Sequence, residues 1–272
     1  MQNGSQRQAE AQIPRLALKG INKTFGAIRA LIDVDFEVYP GEVVGLIGDN
    51  GAGKSTLIKV MSGVYIPDAG EIWIEGEKVS FSSPQDATRL GIETVYQDLA
   101  LCDNLDVVAN LYLGREARRH WLPWIAQPLN EQEMERRTLE VLHKLDVKIR
   151  SVRIPVAGLS GGQRQSIAVA KTVLRNPKVV LLDEPTAALG VAQTRQVLNL
   201  IKRLRQQGLA VVVISHNLEN VFEVADRAIV MRLGRRVATF TIANTTTEQV
   251  VAAITGASVA EEDPAEPETV SV

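Results

Sequence analysis

The residues with the clearest chemistry lie in one glycine-rich stretch near the start of the chain. A short apolar run from Val43 to Ile47 is followed by GDNGAGKS and then by an apolar-periodic segment. This order fits the pattern G-x-x-x-x-G-K-[ST] between a strand and a helix. Glycines let the backbone turn successive N–H groups toward one anion, and the helix N-terminus adds about half a positive charge. The stretch therefore predicts a phosphate-binding loop.

Two side chains of this loop have distinct expected roles. Lys54 can reach the β- and γ-phosphates of a nucleotide, and the Ser55 hydroxyl can ligate Mg²⁺. The alternative is a glycine-rich turn before an ordinary helix, and the Lys-Ser pair with its flanks argues against it. The residues of this phosphate loop are Gly48, Asp49, Asn50, Gly51, Ala52, Gly53, Lys54, Ser55 and Thr56.

Two adjacent carboxylates follow a second apolar run. The run from Val179 to Leu182 is typical of a buried strand, and Asp183 and Glu184 come directly after it. In a phosphate-loop protein, a carboxylate at a strand tip can hold Mg²⁺ through water. The next carboxylate can orient or deprotonate the attacking water. The alternative is a solvated acidic turn, which the phosphate loop in the same chain disfavours.

Three single residues stand beside predicted strands. Gln97 follows a strand predicted over 92–96, and His216 follows one predicted over 211–215. A lone histidine is usually structural, but this one shares a strand end with the other candidates, which favours contact with the γ-phosphate. Phe25 lies in KTFG upstream of the loop. Its spacing alone is equally compatible with core packing and with stacking on a nucleotide base.

The segment LSGGQ predicts a second anion site. Ser160 and Gln163 are spaced as a capping box, and the helix is predicted to extend to Arg175. Gly161 and Gly162 leave the backbone N–H groups at this helix start uncovered. A capped helix with glycines in its turn is the alternative.

Composition narrows the class of protein. The 272 residues are 45% hydrophobic and 23% charged, which is ordinary for a globular chain with a core. The net charge of −2 gives no overall field that favours nucleic acid or an anionic membrane. A single cysteine, Cys102, rules out an internal disulfide, and no apolar run approaches the ~20 residues of a spanning helix. We therefore expect a cytosolic protein or one held at a membrane by a partner.

The pattern along the chain predicts one domain over 13–258 between two loose ends. Residues 1–12 read as a flexible leader, and residues 259–272 as a disordered acidic tail. Alternating residues predict half-buried strands before the phosphate loop. After the loop, two hairpins are predicted, with turns at Gly76 and Gly234. WLPWI at 121–125 reads as a structured loop or packing plug, and an exposed partner-binding patch is the less favoured alternative.

Two further helices carry capping signals. Asn130 and Glu133 are spaced as a cap for a helix with apolar residues at helical spacing. Thr245 and Glu248 predict the cap of a last helix that ends near Gly256.

From about Ile13 to Gly256, the chain resembles an ATP-binding cassette subunit. The resemblance rests on five features in this order: the phosphate loop, Gln97, LSGGQ, LLDEP and His216. The resemblance implies an α/β fold: a phosphate-loop core of mixed and parallel sheet with helices. It also implies an antiparallel β part and a helical subdomain inserted at about 99–171. Its cofactors would be ATP and Mg²⁺.

The resemblance also assigns roles to matching positions. These are Phe25 stacking on adenine, residues 48–56 as the Walker A loop, Gln97 as the Q-loop glutamine, Asp183 closing the Walker B strand, Glu184 as the catalytic base and His216 as the switch histidine. Ser55, Gln97 and Asp183 would hold Mg²⁺, partly through water. One position departs from the family: Gly190 stands where Asp is common, in a loop that contacts the other subunit.

The family's partners follow from the same resemblance. Residues Ser160 to Gln163 would cover the γ-phosphate bound by a second copy, so two chains would sandwich two ATP molecules head to tail. A groove near Gln97 would receive a helix of an integral-membrane permease, served by an external binding protein. No nucleic acid partner is expected. The chain would lie peripherally on the cytoplasmic face of the bacterial plasma membrane.

Longer sequence segments favour one branch of the family. GDNGAGKSTLIKVMSGVYIPDAGEI, GIETVYQDLAL and SHNLENVFEVADRAIVMRLGRR resemble the ATPases of monosaccharide importers of the ribose, xylose and fructose group. A single cassette resembles the fructose-type members and implies a homodimer. The sugar rests on analogy alone. Alternatives are an importer for another solute such as an amino acid, a soluble cassette ATPase of DNA repair or translation, and a regulatory module without turnover.

Overall fold

The computed structural model describes residues 13–118 and 128–257. The predicted leader at 1–12, the WLPWI segment at 121–125 and the predicted tail at 259–272 lie outside the described residues. None of the helices in the described ranges is long and apolar enough to cross a bilayer.

The first layer is an antiparallel sheet of four strands in the order β2-β1-β4-β5. Its strands are β1 (Leu16–Phe25), β2 (Ile28–Val38), β4 (Ala69–Ile74) and β5 (Glu77–Val79). The turn between β4 and β5 places both Glu75 and Gly76 at positive φ, 51° and 85°. This left-handed pair matches the twist of a two-residue hairpin, so the turn predicted at Gly76 is confirmed.

The second layer is a sheet of six strands in the order β10-β9-β3-β8-β7-β6. Its strands are β3 (Val43–Ile47), β6 (Ile92–Val95), β7 (Val179–Asp183), β8 (Ala210–Ile214), β9 (Arg227–Arg232) and β10 (Arg235–Thr241). All pairings are parallel except the edge pair of β9 and β10. The continuous apolar runs of β3, β7 and β8 are explained by burial on both faces.

Helices cover both faces of the parallel sheet. They are α1 (Lys54–Met61), α2 (Pro84–Arg89), α3 (Val107–Tyr112), α4 (Glu131–Lys144), α5 (Gly161–Val173), α6 (Val191–Gln206), α7 (Leu218–Val224) and α8 (Thr247–Thr255). Short 3₁₀ turns lie at Val156–Gly158 and Ile242–Asn244. The named elements between β6 and β7 are all helical, as the change of pattern predicts.

The parallel sheet separates two hydrophobic clusters. Val43 and Ile47 of β3 belong to the cluster shared with helices α3 to α8, whereas Val44 and Leu46 belong to the cluster under the antiparallel sheet and α1. Side chains alternate between the two faces of a strand, so one apolar strand supplies both clusters. The fold is the α/β phosphate-loop class with an antiparallel part that the sequence predicts.

Two predicted helix boundaries, at α5 and α8, and one predicted capping box, at α4, differ from the structure. Helix α5 ends at Val173, two residues before the predicted Arg175. At α4, Asn130 accepts the Glu133 N–H at 3.4 Å, but the Glu133 carboxylate binds Arg136 and Arg137 and does not complete a capping box.

The cap of α8 lies one residue later than predicted. Thr246 accepts the N–H of Gln249, and the Gln249 side chain accepts the N–H of Thr246. Thr245 is not the cap because the preceding 3₁₀ turn directs its hydroxyl to the Thr241 carbonyl at 2.8 Å. The predicted end near Gly256 is confirmed, with φ of 75° at this C-cap.

Candidate active site

Four parallel strands end at the same edge of the larger sheet. β3, β8, β7 and β6 are neighbours in this order, and their register places Leu46 beside Ile214 and Ile214 beside Asp183. Neighbouring strands lie about 4.8 Å apart, so roughly 10 Å separates the backbones of β3 and β7. The phosphate loop follows β3, His216 follows β8, and Gln97 follows β6 by two residues. The sheet thus brings the predicted side chains to the place where open α/β sheets bind ligands.

Glycine is required at two positions of the phosphate loop. Gly48 has φ of 145°, and a Cβ there would lie 2.1 Å from the Met231 carbonyl oxygen. Gly53 has φ of 103°, and its Cβ would lie 2.8 Å from the carbonyl oxygen of Ala30. These φ values and close approaches exclude a side chain, so the loop pattern has a steric origin.

Helix α1 begins directly at the loop with exposed backbone donors. Gly53 is its N-cap and offers no side-chain acceptor, and no acidic residue occupies the first turn. The first N–H groups of a helix have no partner within that helix. The start of α1 therefore directs the N–H groups of residues 54–56 and a partial positive charge toward an anion.

Lys54 lies over the loop. Its side chain is buried, and its ammonium donates to the carbonyl oxygens of Gly48 at 2.6 Å and Asp49 at 2.9 Å. An ammonium has three N–H donors, so a third can serve a phosphate. Burial lowers the pKa of Lys54, while Glu184, Asp49 and Asp183 act in the opposite direction. Those carboxylates consequently lie within electrostatic reach of the lysine.

The residues expected to hold Mg²⁺ offer oxygen ligands of the kind this ion prefers. Burial, and then the neighbouring Glu184, raise the pKa of Asp183, and Lys59 and Lys54 oppose that change. The described ranges contain no group of three or more His, Cys, Asp or Glu residues able to hold a metal by itself. Mg²⁺ is commonly bound by one or two carboxylates together with substrate phosphates, which the hydroxyl of Ser55 and the carboxylate of Asp183 fit.

Glu184 directly follows β7 and has an unusual backbone conformation. It has φ of 50°, and its N–H donates to the carbonyl oxygen of Ile214 on β8 at 3.1 Å. Its side chain is 17% exposed and lies 2.9 Å from Nδ1 of His216, whose own side chain is 73% exposed. A non-glycine residue at positive φ carries some strain, and such strain is typical of functional sites.

Ser160 to Gln163 form the predicted capping box at the start of α5. The Gln163 N–H donates to Ser160 Oγ at 3.3 Å, and the Ser160 N–H donates to Gln163 Oε1 at 3.0 Å. Gly161 and Gly162 approach the start of α6: added Cβ atoms would lie 3.0 Å from Leu189 and Gln193. The glycines therefore also permit close packing of α5 against the start of α6. The helices at this second site differ from β3 and α1, which flank the phosphate loop.

A cavity of about 540 Å³ adjoins the phosphate loop and has walls that sequence reasoning missed. Ile28 and Arg29 of β2, and Leu233 and Gly234 of the last hairpin, line it together with residues 50–56. These residues come from distant parts of the chain, and only the turn glycine carried a local signal. Phe25 is not in this wall, but it is 41% exposed and pairs with Ile28 in the β1–β2 ladder.

Comparison with known proteins gives concordant relatives. A family model described as ABC transporter matches residues 31–187. The fructose import ATP-binding protein of Rhizobium meliloti is 47% identical over 250 residues, covering 91% of this chain and 96% of that protein. The xylose/arabinose import ATP-binding protein of Sulfolobus acidocaldarius is 46% identical over 81% of this chain and 85% of its own length. A ribose import ATP-binding protein of Rubrobacter xylanophilus is 41% identical over 92% of this chain, which spans 49% of that protein.

Solved structures agree with this similarity. The crystal structure of an ATP-binding cassette of an ABC transporter in its ADP conformation superposes with a TM-score of 0.78, at 27% identity, over 90% of this chain and 100% of that one. A dimeric post-hydrolysis state of a cassette bound to ADP and Pi gives a TM-score of 0.69, at 26% identity, over 84% and 98%. The chain belongs to the ABC transporter family, as an ATP-binding cassette with ATPase activity.

Proposed function

We propose that this chain is the ATP-hydrolysing subunit of an importer that carries a monosaccharide through a partner permease. The observation that carries the proposal is the 47% identity to a fructose import ATP-binding protein over 96% of that protein's length. Relatives at 46% and 41% identity are named for import of xylose/arabinose and ribose. The substrates named for these relatives are all monosaccharides. The proposal does not name one sugar, because in such an importer the sugar contacts the permease and the binding protein and not the ATPase.

Nucleotide binding is assigned to the phosphate loop and its surroundings. The backbone N–H groups of residues 48–56 and the Lys54 ammonium bind the phosphates, and the exposed ring of Phe25 stacks on the adenine. Ser55, Asp183 and Gln97 hold Mg²⁺, partly through water. When bound, Mg²⁺ neutralises charge on the phosphate oxygens.

Hydrolysis is assigned to Glu184 and His216. The Glu184 carboxylate accepts a proton from a water molecule as that water attacks the γ-phosphorus, and the bond to the β–γ bridging oxygen breaks to give ADP and phosphate. The 2.9 Å contact with Nδ1 holds His216 in place, and its exposed ring leaves Nε2 free to reach the γ-phosphate. The positive φ at Glu184 helps to direct its carboxylate to this neighbour.

The complete site in this proposal needs two copies of the chain. The second anion site, Ser160 to Gln163, contacts Lys148, Leu189 and Gln193, which are remote in sequence from the phosphate loop. By the family resemblance, each copy offers its Ser160 helix start to the γ-phosphate bound by the other. We assign residues of about 99–171 as a helical subdomain, and a groove near Gln97 as the place where the permease docks. The complex would lie on the cytoplasmic face of a bacterial plasma membrane. An external sugar-binding protein would deliver the sugar to the permease.

Affinity capture tests the transport role. The Glu184→Gln chain is incubated with ATP, Mg²⁺ and detergent-solubilised membranes of its source organism and is then recovered. The Lys54→Ala chain is the matched control, because without the lysine it should not form the closed ATP-bound dimer. Recovery of a polytopic permease with the Glu184→Gln chain alone would support the proposal. Recovery of soluble partners only, with the ATP-bound dimer intact, would overturn the importer assignment in favour of a soluble ATPase.

A further inference from the structure

Phe25 does not stand alone at the mouth of the site. Its ring lies edge-to-face against the ring of Tyr65, with centroids 5.0 Å apart and an interplanar angle of 64°. Edge-to-face pairs of this kind are favourable beyond their buried area. Tyr65 is half-buried, whereas 41% of Phe25 is exposed. The pair thus has one anchored ring and one ring available to a ligand.

Tyr65 is anchored to the helix that follows the phosphate loop. Its backbone N–H donates to the carbonyl oxygen of Lys59 on α1 at 2.9 Å, and the Lys59 ammonium lies 5.4 Å from the centre of its ring. The ring also packs against the buried cluster that contains Leu57 and Ile58 of the same helix. Tyr65 consequently has a fixed place relative to the N-terminus of α1, where the phosphates bind.

The segment that contains Tyr65 also holds the end of β1. Asp68 accepts the Thr24 N–H at 2.7 Å and the Lys23 ammonium at 2.7 Å, and its own N–H donates to the Asn22 carbonyl at 2.8 Å. These bonds act on the three residues directly before Phe25. The 65–68 segment therefore sets both the backbone and the ring of Phe25.

We infer that Tyr65 is a positioning residue for the nucleotide, which holds the Phe25 ring at the distance from α1 that lets base and phosphates bind together. This inference rests on the proposed stacking of Phe25 on the base. Two binding groups at a fixed separation gain affinity because neither has to be ordered when the ligand arrives. Tyr65 itself does not touch the reacting atoms.

The test is a double-mutant cycle on binding rather than on turnover. The full-length chain and its Phe25→Ala, Tyr65→Ala, Tyr65→Phe and double Ala variants are titrated with ADP and, as a probe without a base, with inorganic pyrophosphate. Tyr65→Ala is expected to weaken ADP binding about 3- to 10-fold and to leave pyrophosphate binding unchanged. Tyr65→Phe keeps the ring and is expected to behave as the parent chain. In the Phe25→Ala background, loss of Tyr65 should have no further effect.

A matched control is Tyr39→Ala, because Tyr39 precedes the amino end of β3, away from the loop, and packs against Arg227. It should not change the affinity for either probe. An unchanged ADP affinity in Tyr65→Ala, with weakened binding in Phe25→Ala, would overturn the role of Tyr65 alone. Equal loss of ADP and pyrophosphate binding would also overturn it, since that pattern indicates damage to α1. Unchanged ADP binding in Phe25→Ala would overturn base stacking as well.

Discussion

Glu184 combines a strained backbone with a fixed side-chain partner. Its φ of 50° interrupts the strand just after Asp183, and its carboxylate lies 2.9 Å from His216 on the neighbouring strand end. The side chain is mostly buried near the ammonium of Lys54. A carboxylate held in this way can accept a proton from water without first having to be oriented.

Replacing this carboxylate should separate binding from hydrolysis. Glu184→Gln keeps the size of the side chain and one accepting oxygen but cannot accept a proton from water. We expect ATP binding to persist and turnover to fall ~10²–10⁴-fold, measured by single-turnover release of phosphate. Glu223→Gln, which removes an exposed carboxylate on α7 paired with Lys202, is the matched control and should keep full turnover. Full turnover in Glu184→Gln would remove Glu184 from the role of base.

A buried glutamate outside the site gives a pH-dependent contribution to stability. Burial raises the pKa of Glu93 above its usual 4.5, although Arg175 donates to its carboxylate at 2.8 Å and opposes the rise. The folded chain therefore holds this proton more tightly than the unfolded chain, and the contribution is fully present below pH 4.5 and is lost as the pH rises through the raised pKa.

The Glu93→Gln variant should not lose this contribution to the unfolding free energy as the pH rises. The difference in unfolding free energy, variant minus parent, is expected to increase as the pH is raised from 4 to 7, because only the parent chain must ionise a buried group over about that range. Urea unfolding of both chains at several pH values measures it. A difference that stays constant would show that the Arg175 pair cancels the effect of burial, and one that decreases as the pH rises would show that the pair outweighs it; either result would contradict the prediction.

Gly48 shows how strongly the loop backbone is constrained. A Cβ there would lie 2.1 Å from a backbone oxygen of β9, at a φ that other residues rarely adopt. Gly48→Ala should lower the unfolding free energy by about 2–5 kcal/mol and weaken nucleotide binding. Gly158→Ala is the control, since a Cβ at Gly158 meets no atom within 4 Å, and its effect should be about 0.5 kcal/mol or less. Urea unfolding and ADP titration check both variants, and similar values for the two would contradict the steric requirement.

At the level of elements, two helices share one capping geometry but differ in expected function. Ser160 with Gln163 caps α5, and Thr246 with Gln249 caps α8. Either hydroxyl satisfies a backbone N–H that the helix leaves without a partner. Only the α5 cap belongs to the proposed second anion site.

The matched substitutions Ser160→Ala and Thr246→Ala should therefore diverge in one measurement. Each should lower the unfolding free energy by about 0.5–2 kcal/mol through loss of its cap. Only Ser160→Ala should also reduce ATP turnover, because it alters the helix start that we propose to bind the γ-phosphate of the other copy. Equal turnover in the two variants at equal stability would remove Ser160 from the nucleotide site.

The elements also show why sequence reasoning succeeded in some places and not in others. The ends of β3, β7 and β8 could be predicted because each is a short apolar run that a chemically distinctive residue terminates. The cap of α8 was misplaced because two adjacent threonines precede the helix, and a 3₁₀ turn decides between them. Such a choice depends on the local backbone path, which residue types alone do not specify.

Contacts between distant segments could not be predicted from the local sequence pattern. The turn at Leu233 and Gly234 lines the cavity because Gly234 donates to Ala52 at 3.1 Å and accepts from Ile32 at 2.8 Å. Tyr65 meets Phe25 across 40 positions of the chain. Neither pairing has a sequence signature, because each depends on how elements that are distant in the chain pack together.

At the scale of the whole molecule, the two proposed anion sites are built from separate parts of one chain. The phosphate loop lies between β3 and α1, whereas the α5 start packs against the segment that leads into α6. Gly190 caps α6 in that segment without a side chain, where the family commonly has Asp, and its N–H donates to Gln193 at 3.4 Å. In the proposed head-to-tail pair, the phosphate loop of one chain would meet the α5 start of the other.

Complementation between two defective chains tests this two-copy site most directly. Lys54→Ala removes the phosphate-loop cation, and Ser160→Asp keeps a good helix cap while placing a negative charge at the second anion site. Each variant alone should form no competent site. A mixture should regain ATP turnover, because each mixed dimer pairs an intact phosphate loop from one copy with an intact Ser160 from the other. A mixture of dimers no more active than the sum of its two components would contradict a site shared between copies.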